Sequence, residues 1–110
     1  MPLRSRLPIC GLISILLLFA AAPGARAQDA KSLHTQALAA TCANCHGTQG
    51  RAVTGAAVPG LAGMPASYLV EQLKAFKAGT RPATVMHQLA KGYNDAQIDQ
   101  LAGYFAAQAK

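Results

Sequence analysis

The chain has 110 residues, of which 52% are hydrophobic and only 13% charged, and its formal net charge is +6. Three of the ten basic residues, Arg4, Arg6 and Arg26, lie in a leader-like first stretch, leaving seven against four acidic residues in the remainder. That small excess, without a basic run or interleaved aromatics, excludes a nucleic-acid binder, and the length allows one domain.

The first stretch reads as an export signal. Arg4 and Arg6 precede an apolar run from Ile9 to Ala22, interrupted only by Gly11 and Ser14. Pro23 and Gly24 are expected to break any helix, and Ala25-Arg26-Ala27 puts small residues where a signal peptidase reads them. A membrane anchor needs ~20 apolar residues, and the run falls short. Residues 1–27 are therefore expected to be a cleaved signal peptide. Residues 28–110 are then the exported domain, periplasmic and without a membrane span. Cys10 begins the apolar run, whereas a lipid-anchored cysteine would follow one. The remaining cysteines, Cys42 and Cys45, stand too close together for a disulfide to close a long loop. A domain of roughly 80 residues has a thin core and usually needs a staple, so another one is required.

In chain order, Asp29 to Thr41 is rich in Ala and Leu and lacks Gly and Pro, which predicts a helix with Leu33, Ala37 and Ala40 or Thr41 on its apolar face. Residues 47–63, dense in glycine, are loop. A second helix is expected over Pro65–Ala78, with Leu69, Leu73 and Phe76 at helical spacing and Gly79 as its stop. A short helical piece is expected over Ala83–Lys91. Asn94 with Gln97 three residues on predicts a capping box. Ile98, Leu101, Ala102 and Phe105 then form one stripe on a last helix. Nothing alternates with the period of a strand, so the domain is expected to be all-α.

The chemistry sits in Cys42-Ala43-Asn44-Cys45-His46. Cys-x-x-Cys-His is the attachment signature of a c-type haem. Two thiols one helical turn apart can add to the two porphyrin vinyl groups, and the adjoining imidazole becomes an axial ligand. The covalent bonds would be the missing staple. A thioredoxin-like redox pair would want a βαβ setting, and a zinc site would want four ligands; His34 and His87 show no ligand spacing. For the sixth position Met64 and Met86 both have the chain reach. Met64 adjoins the helix start at Pro65, a place for packing, whereas Met86 lies in a segment with few other duties.

From Ala37 to Ala106 the chain resembles a bacterial class I cytochrome c domain. The stretches that carry the resemblance are CANCHG, PGLAG, YLVEQLKAFKAGTRP, VMHQLAKGYND and IDQLAGYF. The resemblance implies a class I cytochrome c fold, three main helices and loops wrapped around one covalent haem c. It gives Met86 the sixth-ligand role, and it places the Pro59 carbonyl on the ring N–H of His46 and Leu61 on the porphyrin face. It also crosses the first and last helices, bringing Ala37 and its neighbours against Leu101, Tyr104 and Phe105. The cofactor-binding set is thus Cys42, Cys45, His46 and Met86, with the iron held by His46 and Met86.

GTRPATVMHQLAKGYND is, more narrowly, similar to the Met-ligand segment of flavocytochrome c sulfide dehydrogenase cytochrome subunits, in which a FAD subunit oxidises sulfide and reduces the haem. His87 stands where those proteins often have a small residue. Tandem dihaem cytochromes share the PxLAG and YLxxQLxxFKxGxR stretches, but the single attachment motif here implies one haem. The resemblance therefore implies a non-catalytic electron-accepting subunit of such a complex. The alternatives are a free periplasmic shuttle to an oxidase, and a haem enzyme or gas sensor with an open sixth site. His34 and His87 are expected to be ordinary surface or rim residues, and Tyr93 and Tyr104 packing residues. Lys74, Lys77, Arg81 and Lys91 are expected to be a solvated face, with a docking rim as the sharper reading. A partner contact would centre on the weakly charged surroundings of Met86 at Ala83 and Ala90.

Overall fold

The computed structural model describes residues 23–110. The positive start, apolar run and Cys10 of the expected leader lie outside them. Contacts divide the chain after Ala30, and the unit Lys31–Lys110 holds the architecture that follows. The described residues form helices and turns with no strand: α1 (Pro23–Ala40), α2 (Ala43–His46), a 3-10 turn at Thr48–Gly50, α3 (Ala66–Ala78), α4 (Met86–Leu89), a 3-10 turn at Ala90–Gly92 and α5 (Asp95–Ala106). No described helix is long and apolar enough to cross a membrane.

Two features of α1 differ from expectation. Pro23 and Gly24 lie inside the helix instead of ending it. Proline is tolerated in a first turn, and an internal glycine costs only about 1 kcal/mol. The inward face is also different. Leu33 is 64% exposed and Ala37, Ala40 and Thr41 face solvent, while Thr35, Leu38, Ala39 and Cys42 turn inward. Alanine suits either side of a helix, so an Ala-rich stretch does not declare which face the rest of the domain will cover.

The α3 and α5 helices follow their local signals closely. Pro65 is the residue before α3, so the helix starts one position later than expected. Its stop is Gly79 in the left-handed region at φ 75°, donating its N–H to the Phe76 carbonyl at 3.1 Å. A residue with a Cβ holds that conformation poorly. Arg81 then lays its guanidinium 4.5 Å from the centre of the Phe76 ring. On α5 the Asn94 side chain accepts from the Gln97 N–H at 2.9 Å, and the Gln97 side chain accepts from the Asn94 N–H at 3.0 Å. Asn94→Ala removes one half of this box and should lower stability by about 1 kcal/mol, read as a shift in thermal midpoint with the spectrum unchanged. A variant as stable as the parent would show that the box contributes nothing here. Lys77 of α3 donates to Asp95 at the start of α5 at 3.1 Å; that hydrogen bond and the lysine's charge hold the carboxyl below its ordinary range.

The core is small. Ala39 from α1, Leu69 from α3 and Leu101, Ala102 and Phe105 from α5 form its centre. Leu38, Leu61, Met64, Leu73, Tyr93 and Tyr104 pack partly against it. So α1 shares this core with α5, contributing Ala39 with Leu38 beside it, whereas Ala37 is exposed. Among the described residues the only large side chains buried almost completely are Ile98 and Leu101. Domains of this size with so few buried large side chains commonly gain stability from a cross-link or a bound group.

Candidate functional site

The turn leaving α1 builds the site. The Cys42 N–H donates to Ala39 at 3.1 Å, and the Cys42 carbonyl then accepts from Cys45 at 3.3 Å and His46 at 2.9 Å. These bonds wind α2 as a single turn, with Cys42 at its mouth and Cys45 and His46 at its end. Gly47 closes it at φ 83°, and a Cβ there would lie 2.0 Å from the Arg51 carbonyl oxygen. Only glycine lets the chain double back so tightly.

The loop that returns from Gly47 is held by its own backbone and by α5. The Gly50 carbonyl accepts from Leu61 at 2.7 Å and Ala62 at 3.1 Å, the Gly63 N–H donates to Phe105 at 2.9 Å, and Arg51 Nε donates to Ala109 at 2.9 Å. This anchoring delivers Pro59 to the imidazole. His46 is buried, at 8% exposure, and its Nδ1 lies 2.7 Å from the Pro59 carbonyl oxygen. A carbonyl can only accept, so Nδ1 is the donor, which leaves Nε2 as the nitrogen that can offer a lone pair to a metal.

Cys42 and Cys45 are both free thiols, the first half-buried and the second exposed. Burial pushes the Cys42 thiol up, the Thr41 hydroxyl lowers it in part, and the charge of Cys45 raises it further. The site therefore offers two unpaired sulfurs beside a buried imidazole whose Nε2 makes no hydrogen bond among the described residues. That donor set fits a covalently attached haem. Among the described residues no group of three or more His, Cys, Asp or Glu side chains is placed to hold a metal ion.

A cytochrome c family model matches residues 32–108. The chain belongs to the cytochrome c family. It is 43% identical over 68 residues to the thiosulfate dehydrogenase electron acceptor of Thiomonas intermedia, covering 62% of this cytochrome and 31% of that relative. With the cytochrome subunit of sulfide dehydrogenase of Chlorobaculum tepidum it shares 40% identity over 68 residues, 62% of this chain and 60% of the relative. Among solved structures it is similar to Acidithiobacillus ferrooxidans cytochrome c4, with a TM-score of 0.56, 38% identity and coverage of 60% of this chain and 37% of that one. The chain thus spans from 31% to 60% of the lengths of these three proteins. The fold is that of a class I cytochrome c, an electron-transfer domain that carries haem c.

The two methionines of this cytochrome differ in their surroundings. Met64 packs against the core formed with Leu69 and Phe105. Met86 is half-buried at the first position of α4 and stands outside that core. His87 is half-buried too, and its Nδ1 is buried without a hydrogen-bond partner among the described residues, so it is less exposed than a plain surface histidine. Ala90 is 0% exposed and cannot touch a partner. The apolar side chains open to solvent near Met86 are Val85 and Leu89, at 52% and 48%. Lys77 engages Asp95, and Arg81 engages Phe76 and the Gln72 side chain. Sequence reasoning missed one polar link altogether: Tyr93 Oη lies 3.0 Å from Thr41 Oγ1. Its only sequence signal is a threonine placed directly before Cys42.

Proposed function

We propose that this cytochrome c is an exported one-haem electron carrier that accepts electrons from a sulfur-compound dehydrogenase, in the first place the FAD subunit of a sulfide dehydrogenase. In this reading residues 1–27 are removed on export and residues 28–110 work in the periplasm. Cys42 and Cys45 would hold the haem through thioethers, and His46 and Met86 would ligate its iron. When bound, the haem supplies a one-electron couple. The single observation that carries the electron-transfer reading is the buried His46 ring fixed by the Pro59 carbonyl.

The chain's residues then have separate tasks. The Pro59 carbonyl holds the Nδ1 proton and stops the imidazole from turning, which keeps Nε2 aimed one way and strengthens it as a donor. The Gly50 and Gly63 backbone bonds keep Pro59 in place. Met86 offers a soft, uncharged sulfur that favours the reduced state. Met64 is already engaged in packing, which supports Met86 as the ligand.

The sulfide dehydrogenase relative and the similarity of the Met86 segment favour sulfide as the source of electrons. The Thiomonas intermedia relative favours a second reading, in which a thiosulfate dehydrogenase is the donor. In either case Val85 and Leu89, with their apolar exposure, would sit at the dry centre of the contact, and Lys74 and Lys91 nearer its rim. The purified cytochrome, mixed with its flavoprotein and sulfide, should show haem reduction that survives a salt series through physiological strength, where charge is screened beyond ~8 Å. A free shuttle steered by charge would lose its rate as salt rises. With an intact haem and an active flavoprotein, absence of reduction at every salt concentration rules that donor out. A parallel reaction with a thiosulfate dehydrogenase and thiosulfate decides the second reading.

A further inference from the structure

We infer that Tyr93 is a positioning residue for the sixth ligand, its hydroxyl tying the segment that carries Met86 to the turn that carries Cys42. The inference rests on the reading of Met86 as that ligand. Its geometry does not.

The hydrogen bonds have a defined direction. Thr41 Oγ1 lies 2.7 Å from the Leu38 carbonyl oxygen, which can only accept, so the single hydroxyl proton of Thr41 is committed there. Tyr93 Oη, 3.0 Å from the same oxygen, must therefore donate. Thr41 adjoins Cys42, and its oxygen stands 3.9 Å from the Cys42 sulfur. Tyr93 follows the 3-10 turn Ala90–Gly92 and leads into the Asn94 capping box. One hydroxyl thus joins two places 52 residues apart in the chain, one at each end of the proposed haem ligation.

The restraint matters because of where the Met86 segment is otherwise held. On its N-terminal side Arg81, Pro82, Thr84 and Val85 are exposed, so little there resists displacement. On its C-terminal side Ala90 is fully buried and the Tyr93 ring packs against the core. Movement of Met86 away from its ligating position must work against that side. Tyr93→Phe keeps the ring and its packing and removes only the tether.

The test uses the ferric holoprotein and imidazole as a competing ligand, following loss of the Met–iron charge-transfer absorption. Tyr93→Phe should make displacement easier by about fivefold, the effect of one net hydrogen bond, with covalent haem content unchanged. Thr41→Val should do the same, the double variant should add little to either, and Thr41→Ser, which keeps the acceptor, should restore the parent value. In a Met86→Ala background, where the band is gone, Tyr93→Phe should leave imidazole affinity unchanged. A Tyr93→Phe protein displaced as readily as the parent overturns the inference. So does an equal shift in the Met86→Ala background, because the tether would then act on something other than Met86. If Met86→Ala keeps the band, the ligand reading itself fails, and the tether inference fails with it.

Discussion

Replacing Cys42 and Cys45 together by alanine should leave a polypeptide that carries no covalent haem, is largely unfolded and is cleared quickly by proteases. The physical reason is the core. Its centre is Leu69, Leu101 and Phe105 with two alanines, and each large side chain contributes about 1.5–3 kcal/mol on burial. Against this stands a conformational cost of ~1–2 kcal/mol for every ordered residue, including the glycine-dense loop from 47 to 63. A covalent haem would supply apolar surface and cross-link the α2 turn to the rest of the domain. The checks are haem stain on a denaturing gel, far-UV circular dichroism and limited proteolysis. A stably folded, haem-free double variant would show that the domain needs no staple.

Met86→Ala and Met64→Ala should separate cleanly. Loss of the Met86 sulfur should remove the Met–iron absorption, open the iron to added ligands and lower the reduction potential. The fall should exceed about 59 mV, which corresponds to a tenfold loss in the preference for the reduced state. Met64→Ala should keep the band and the potential, because Met64 belongs to the core packing. Its cost should appear as stability, toward the lower end of the ~2–5 kcal/mol typical of a methionine truncated to alanine. Spectroelectrochemistry and thermal unfolding of both variants distinguish the roles. Loss of the band in Met64→Ala, with Met86→Ala unaffected, reverses the assignment.

The features legible in the sequence were those written in neighbouring residues. The capping box of Asn94 and Gln97, the Gly79 stop and the buried stripe from Ile98 to Phe105 each depend on spacings of a few positions, and all are present. The contact between His46 and Pro59 was reachable through the family resemblance, since nothing in the stretch between them, 13 positions apart, declares it. Features decided by distant packing were not legible. The inward face of α1 was misread because apolar residues lie on both sides of that helix, and tertiary contacts select Leu38 and Ala39. Ala90 looked like a surface alanine beside Met86, yet it is fully buried. The Thr41–Tyr93 bond joins residues from opposite ends of the domain, and each has an ordinary local role that conceals it.

The most direct measurement of the central claim is the intact mass of the exported protein under denaturing conditions. The expected result is one species, residues 28–110 plus the mass of a single haem, unchanged after extraction with acid and organic solvent because the thioethers of Cys42 and Cys45 survive it. A haem that is lost on extraction, or a folded protein whose mass shows no haem, would contradict it.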